Sequence, residues 1–252
     1  MSTLSFFLKI ETFVYKHLVV LLQGDRTFDF VDDIYSKGQK VIDFGSGVGS
    51  NSSLFHPDDY TGVEVDISRV TESKRAFPKH QFQVIPYISS DDQRLPFDDQ
   101  SFDVVFISLC LHHINSDTCK ILFQEFRRLL KKDGIIIGLE PCMMPSAVFS
   151  NIFMNLMDAG DYIITRSNYT AMYASESFKV NPINVIKVFG YHLWQYTASA
   201  DGEISRSFSS GMTTFRKIIK PFHKIILYGK WVMVAILGLY LLQQIWSIIF
   251  MA

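Results

Sequence analysis

Three alternating glycines directly after a short apolar segment constrain the fold of this chain more than any other feature. Residues 41–50 read V-I-D-F-G-S-G-V-G-S, so a predicted buried strand breaks at Gly45. Glycine permits positive φ and lets a ligand approach the backbone closely. Ser50 stands where a dinucleotide-binding G-x-G-x-x-G fingerprint has its third glycine. The turn therefore predicts a ligand site at the end of a strand and leaves the ligand open.

The chain beyond residue 40 alternates short apolar runs with helix-compatible segments, a pattern typical of βαβ units in a parallel sheet. Basic residues and Gly134 mark the end of a crossover helix predicted over residues 117–132. Two apolar runs around Gly190 predict a β-hairpin at the sheet edge. The polar run 50–53 predicts a short or irregular first helix. The predicted strands are residues 40–44, 60–65, 81–85, 102–108, 134–139, 184–189 and 191–197.

Acidic residues follow the glycine turn at informative positions. Glu64 ends the second predicted strand, 19 residues after Gly45, where its carboxylate can accept both hydroxyls of a ribose. Asp66 is a second candidate for the same role. Further on, an acidic pair precedes L-P-F, and S-F-D-V-V then begins the strand 102–108. This order of acids and strands carries more information than the glycine turn alone.

In this order and spacing the segments resemble one family, the class I S-adenosylmethionine-dependent methyltransferases, and within it the small methyltransferase type 11-like subgroup. The similar segments are V-I-D-F-G-S-G-V-G, Y-T-G-V-E, D-x-x-x-L-P-F-x-D-x-S-F-D-V-V, V-V-F-I-S-L-C-L-H-H-I and R-R-L-L-K-K-D-G-I-I-I-G-L-E-P. They cover about residues 38–145 and continue loosely to about residue 197. The resemblance implies an α/β, Rossmann-like, seven-stranded and mostly parallel sheet with a terminal antiparallel hairpin. It also implies S-adenosyl-L-methionine as cofactor and methyl transfer as the reaction.

The resemblance assigns roles to individual residues. Asp43 would support the methionine amino group, and Glu64 would bind the ribose hydroxyls. Asp91 would meet the adenine amino group, with Asp92 contributing a backbone amide. The complete set implied for cofactor binding is Asp43, Phe44, Gly45, Ser46, Gly47, Glu64, Val65, Asp91, Asp92, Ser108 and Leu109.

Within this set, Gly45 and Gly47 would give the cofactor room. Ser108 and Leu109 end the fourth predicted strand and would line the pocket of the methyl donor.

Two adjacent histidines are the candidate catalytic residues. His112 and His113 follow the fourth strand near the expected methyl group and could remove a proton from the acceptor. A structural role is the alternative. The sulfonium methyl is already activated, so alignment and exclusion of water are the main demands. The three cysteines lack metal-ligand spacing, so no metal is predicted and reduced thiols are expected.

Charge is distributed unevenly along the chain. The net charge is −1, which argues against a general nucleic-acid-binding protein. No acidic residue follows Glu203, whereas six basic residues do. Residues 231–252 carry no charge, and about 20 apolar residues suffice to cross a bilayer. They predict a C-terminal transmembrane helix with the catalytic part facing the cytoplasm, and a buried core helix is the alternative.

The predicted organisation has three parts. Residues 1–30 contain an N-terminal amphipathic helix, residues 31–198 a methyltransferase domain, and residues 199–252 a linker, a basic segment and a membrane anchor. An anchored enzyme would meet a lipophilic or lipid-linked acceptor, such as a lipid or an isoprenoid, at the membrane. A non-catalytic, membrane-associated assembly protein is the alternative, and a nicotinamide-dependent oxidoreductase is disfavoured by Ser50. The oligomeric state is left open.

Overall fold

The computed structural model of the protein describes residues 29–88, 90, 92–158, 160–188 and 190–200. The predicted N-terminal amphipathic helix, Asp91 and the predicted C-terminal membrane helix lie outside these described residues. Within the described part, the helices are too short or too polar to span a bilayer.

Seven strands form one mixed sheet. They are β1 Val41–Phe44, β2 Tyr60–Glu64, β3 Gln81–Val84, β4 Phe102–Ser108, β5 Leu130–Pro141, β6 Lys179–Val188 and β7 Tyr191–Ser199. Their order is β3-β2-β1-β4-β5-β7-β6, and β7 pairs antiparallel with both of its neighbours. This topology confirms the predicted mostly parallel sheet with a terminal antiparallel hairpin. The strand order reverses between β1 and β4, and ligands bind at such a switch point in open α/β sheets.

Two strands begin several residues before their predicted first residue. β5 begins at Leu130, directly after a helix, because Leu130 pairs with Phe102 before a register shift. The crossover helix therefore ends earlier than predicted. β6 begins at Lys179 and contains Pro182. Proline cannot donate a hydrogen bond to a neighbouring strand, but β6 is an edge strand with a register shift just after this residue, where proline is tolerated.

The α-helices that the structure describes in full are α1 Ile67–Ala76, α2 Ser116–Leu129, α3 Val148–Met157 and α4 Arg166–Ser175. Asn115 caps α2, since its side chain accepts a hydrogen bond from the Thr118 amide at 2.9 Å. Arg127 and Arg128 lie in the last turn of α2, where cations favour the helix dipole. After the glycine turn the chain forms a 3-10 turn at Ser52–Leu54, which confirms the expected short first helix.

Apolar side chains cover both faces of the sheet. Ile42 and Phe44 belong to the cluster on the face covered by α2 and α4, whereas Val41 packs with Val70 of α1 on the other face. Because side chains alternate across a strand, Asp43 projects from the same face as Val41. With both faces covered, a ligand can reach the middle of the sheet from the strand ends.

Candidate functional site

The glycine turn after β1 adopts the backbone that its sequence predicts. Gly45, Gly47 and Gly49 have φ values of +74°, +56° and +81°, a region that favours glycine. The amides of Gly45 and Ser46 both donate to the Val63 carbonyl of β2, at 2.9 and 3.0 Å. The turn is therefore fixed to the carboxyl end of β2.

The glycines make room for different neighbours. A Cβ atom at Gly45 would lie 2.4 Å from the Cys110 sulfur, and one at Gly49 would lie 2.8 Å from the Phe82 ring. A Cβ atom at Gly47 would meet nothing within 4 Å. The structure therefore gives the two glycines different neighbours, and the expectation that both leave room for the cofactor stays a prediction. Gly45 admits Cys110 from the loop after β4, and Gly47 borders open space.

Glu64 at the end of β2 points back onto the glycine turn. Its side chain, only 7% exposed, accepts hydrogen bonds from the amides of Gly47 at 3.0 Å and Val65 at 2.8 Å. The alternative acid, Asp66, instead caps α1 by accepting from Ser68 N at 2.7 Å. The two candidates are thus separated, and Glu64 is the carboxylate beside the open turn. Val65 follows it and is half-exposed.

Asp43 lies beneath the turn and is almost fully buried, with 1% exposure. Its Oδ2 accepts a hydrogen bond of 2.6 Å from the Tyr60 hydroxyl. Burial raises the pKa of Asp43 to about 7, although the Tyr60 hydrogen bond opposes this rise. A buried carboxylate without a cation is costly, and a ligand cation at this point would favour its ionised form.

The segment before β4 contributes the L-P-F turn. The Leu95 amide donates to Glu125 Oε1 at 2.7 Å, and the guanidinium of Arg128 donates to the carbonyls of Leu95 and Phe97. Asp92 is exposed and accepts from the Ser90 hydroxyl, which lowers the pKa of Asp92. Sequence reasoning missed Glu125 and Arg128 because an acid and a base near the end of an amphipathic helix are common surface residues.

A second buried acid, Glu140, holds the loop after β4. Ser108 is buried at the strand end, and Leu109 follows it with a φ of +52°. The amides of Cys110 and Leu111 both donate to Glu140 Oε1, at 2.9 and 2.8 Å. Glu140 lies on β5 and was not predicted as a site residue, since it reads as the end of a buried apolar strand. This loop meets the glycine turn at the Cys110 sulfur.

The structure gives the two histidines different environments. His112 is 3% exposed, with its Nδ1 2.9 Å from Glu140 Oε2 and its Nε2 3.3 Å from Asp158 Oδ1. Burial alone would lower the pKa of His112, but the hydrogen bonds with Asp158 and Glu140 raise it to about 9. At neutral pH this imidazole is therefore positively charged and has no free nitrogen to accept a proton.

His113 lies beside it, with 4.1 Å between the ring centroids, and is exposed to solvent. Desolvation and the neighbouring charge of His112 lower the pKa of His113. The structure therefore provides one charged and one neutral imidazole at the end of β4. Of the two predicted candidates, His113 alone has the protonation state of a base at neutral pH.

Large apolar side chains are exposed around this end of the sheet. Most of them follow β2, β3 or β5, whereas Val84 is the last residue of β3 and Ile183 lies within the edge strand β6. Phe149 on α3 is 90% exposed. The full set of exposed large apolar residues in the described part is Val65, Ile67, Val84, Tyr87, Val148, Phe149, Ile152, Tyr162 and Ile183.

The comparisons with known proteins identify part of the chain. Residues 42–138 match the family model described as a methyltransferase domain. These residues form a methyltransferase domain. This domain depends on S-adenosyl-L-methionine, and it contains the glycine turn, Glu64, the L-P-F turn and both histidines.

Curated relatives of the domain are similar at low identity. The ubiquinone/menaquinone biosynthesis C-methyltransferase UbiE of Idiomarina loihiensis is 22% identical over 184 residues, which cover 67% of this chain and 72% of that protein. The protein of the same name from Coxiella burnetii is 24% identical over 155 residues. That alignment covers 58% of this chain and 61% of the relative, less than two thirds of its length.

Solved structures share the fold. A methyltransferase from Aquifex aeolicus superimposes with a TM-score of 0.50 at 14% identity, over 75% of this chain and 97% of that chain. The geranyl diphosphate C-methyltransferase of Streptomyces coelicolor gives a TM-score of 0.52 at 14% identity, over 70% of this chain and 80% of that one. The latter structure contains S-adenosyl-L-homocysteine. At these identities the likeness establishes the Rossmann-like fold.

Proposed function

We propose that the methyltransferase domain transfers the methyl group of S-adenosyl-L-methionine to a lipophilic acceptor of the isoprenoid or quinone type. The observation that carries this proposal is the exposed apolar surface at the carboxyl end of the sheet, in which Phe149 is 90% exposed. Exposed apolar patches are typical of surfaces that meet an apolar ligand or a membrane. The names of the curated relatives, which are quinone C-methyltransferases, support the same acceptor class.

The residues around the glycine turn fit the cofactor. Gly47 borders open space, and Glu64 offers a carboxylate beside it for the ribose hydroxyls. Asp43, once ionised, would support the cationic methionine end. Phe44, Gly45 and Ser46 would supply the surrounding backbone, and the half-exposed Val65 would also contact the cofactor. Asp91, Asp92, Ser108 and Leu109 keep the roles that the family resemblance assigned to them.

Bound S-adenosyl-L-methionine supplies a methyl group that is already electrophilic, so the protein must mainly align the acceptor and exclude water. Where the acceptor must lose a proton, we assign the base to His113. This histidine is exposed at the end of β4 and carries the lowered pKa, whereas His112 is enclosed by two carboxylates. General-base catalysis of this kind contributes on the order of 10²-fold or more to the rate.

We further propose that residues 231–252 anchor the protein in a membrane, with the methyltransferase domain on the cytoplasmic side. The six basic residues after Glu203 would contact anionic lipid, at about 1 kcal/mol each. Deleting residues 226–252 is expected to move the protein from the membrane fraction to the soluble fraction. Unchanged fractionation of the deletion variant would contradict the anchor without affecting the methyltransferase assignment.

The acceptor class can be tested with the full-length protein in detergent. Candidate acceptors are unmethylated quinols, prenyl diphosphates and a set of water-soluble phenols and amines, and the readout is product mass. We expect a gain of one methyl group on a quinol or an isoprenoid. A Glu64→Ala variant serves as the control for cofactor dependence and is expected to give no product. Methylation of the water-soluble set alone would overturn the lipophilic assignment.

A further inference from the structure

A buried acid and a buried imidazole organise the loop after β4. Glu140 on β5 is fully buried and uses one carboxylate oxygen for the amides of Cys110 and Leu111, and the other for His112 Nδ1. Because Glu140 accepts these hydrogen bonds with both of its carboxylate oxygens, it holds the backbone and the imidazole in one arrangement. The side chain of Glu140 therefore fixes the path of the loop after β4.

The second nitrogen of His112 reaches a different part of the chain. Asp158 follows α3, and its Oδ1 lies 3.3 Å from His112 Nε2 while it accepts the Gly160 amide at 2.7 Å. The Tyr162 amide donates to the His112 carbonyl at 2.9 Å. A Cβ atom at Gly160 would lie 2.1 Å from the His112 ring, so this glycine permits the close approach. Asp158 and Tyr162 are thus attached to His112, and Gly160 lies against its ring.

We propose that Glu140, His112 and Asp158 form a carboxylate–imidazolium–carboxylate bridge that positions the loop after β4 against Asp158, Gly160 and Tyr162, which follow the apolar helix α3. His112 is accordingly a positioning residue, and His113 is left as the imidazole that faces the acceptor. This inference rests on the proposed function for the acceptor side, because α3 carries the exposed apolar surface.

The surrounding charges favour the charged form of His112. Asp158 and Glu140 face its two nitrogens, and His113 on the same turn is the neighbouring titratable group. Tyr191 of β7 hydrogen-bonds Asp158, and Arg69 of α1 acts on His113. Two carboxylates around one imidazolium leave a net negative charge when His113 is neutral. The bridge is therefore expected to persist until His112 loses its proton near pH 9.

Nitrogen NMR of the full-length protein in detergent tests the bridge without an acceptor. The protein has seven histidines, and the His112 signals are assigned by their loss in His112→Asn. We expect both ring nitrogens of His112 to carry a proton at pH 7.5, and His113 to carry one. A single protonated nitrogen on His112 at this pH would overturn the proposal, whatever acceptor the enzyme uses.

Kinetics of Asp158→Asn test the positioning role. Removing this carboxylate lowers the pKa of His112, so activity should fall on the alkaline side at a lower pH than in the natural protein. We expect kcat to drop about tenfold at pH 8, because misplacing a reacting group is costly, while the Kd for S-adenosyl-L-homocysteine changes less than about twofold. Asp161→Asn, an exposed acid in the same segment, is the matched control and should leave both constants unchanged.

A pure stability defect would lower the melting temperature of Asp158→Asn without moving its pH profile, and that result would contradict the bridge. Metal binding gives the other contrary outcome. His112, His113 and Asp158 bring possible ligand atoms within 4.8 Å of one another, so zinc and manganese are titrated alone by calorimetry. Stoichiometric binding that Asp158→Asn abolishes would mean a metal site in place of the bridge.

Lack of product with every lipophilic acceptor, combined with a doubly protonated His112, would reject the proposed acceptor and keep the bridge.

Discussion

Two buried acids, one at each end of the sheet, have different partners. At the amino end, Asp59 precedes β2 and accepts hydrogen bonds from the Gly38 amide at 2.7 Å and the Tyr35 hydroxyl at 2.8 Å, with Lys40 3.9 Å away. At the carboxyl end, Asp43 has the neutral Tyr60 hydroxyl as its partner. Both carboxyl groups are buried.

The consequence appears in their protonation. Burial alone would raise the pKa of Asp59, but the Gly38 and Tyr35 hydrogen bonds and the charge of Lys40 lower it. Burial raises the pKa of Asp43 to about 7. At the amino end of the sheet, Asp59 therefore has its hydrogen-bond and charge partners within the protein. At the carboxyl end, Asp43 has a hydroxyl partner, and a cationic ligand can supply the opposite charge. Perturbed acids of the second kind are typical of functional sites.

The largest expected effect is on the acid beside the open turn. Glu64→Gln keeps an oxygen for the Gly47 amide. It removes the charge that, in the proposed complex, would strengthen hydrogen bonds to the two ribose hydroxyls. We expect the affinity for S-adenosyl-L-homocysteine to fall on the order of 100-fold, measured by calorimetry. A variant with normal affinity and a normal melting temperature would show that the ribose lies elsewhere.

Asp43→Asn should separate stability from binding. In the free protein the native state retains the Asp43 proton above its ordinary pKa, so the free energy of unfolding falls as pH rises from about 4 to about 7. The asparagine variant removes this slope and should be more stable than the natural protein at pH 8. Its affinity for S-adenosyl-L-methionine should be about tenfold lower, because the ligand cation loses its counter-charge.

Binding by the natural protein should show the matching pH dependence. Affinity for S-adenosyl-L-methionine is expected to rise between pH 6 and pH 8, as Asp43 ionises near pH 7. The Asp43→Asn variant should lose this dependence. Equal slopes in the two proteins would assign the titration to another group.

Asp59→Asn is the counterpart at the amino end. The lowered pKa of Asp59 contributes stability that is present above the ordinary value of 3.8 and is lost as pH falls through the lowered pKa. The variant should therefore lose about 1–2 kcal/mol in the free energy of unfolding at pH 7, through weaker hydrogen bonds. Calorimetry with the cofactor should give an unchanged Kd. A tenfold loss of cofactor affinity would contradict the proposed difference between the two ends of the sheet.

The smallest effect is expected on the apolar surface. Phe149→Ser removes exposed apolar area from α3 and should raise the KM for a lipophilic acceptor about threefold to tenfold, with kcat and cofactor affinity unchanged. Ile183→Ser is the matched control, since this residue is also exposed but lies within β6. An equal rise in KM for both variants would point to a general surface effect.

Much of the fold was predictable because local patterns agree with it. The apolar run ending in the glycine turn placed β1, and the two runs around Gly190 placed the antiparallel hairpin. The bounds of β5 and β6 differed because strand pairing extended them, at Leu130 by pairing with Phe102 and at Pro182 by edge position. Paired strand residues lie far apart in the chain, so a local sequence pattern does not reveal the pairing.

The candidate site also combines features that the local sequence predicts with features that only the packed protein has. The sequence by itself determined the order of glycine turn, Glu64, L-P-F turn and paired histidines. Each ends or follows a strand, and the carboxyl ends of parallel strands lie at one edge of the sheet. Only the tertiary structure placed Glu64 against the glycine turn and Asp66 at the start of α1, brought Cys110 against Gly45, and gave His112 and His113 different environments. The environment of His112 depends on Glu140 and Asp158, which lie 28 and 46 residues from it in the chain. Electrostatic environment is a property of the packed protein, and the residue sequence along one segment does not contain it.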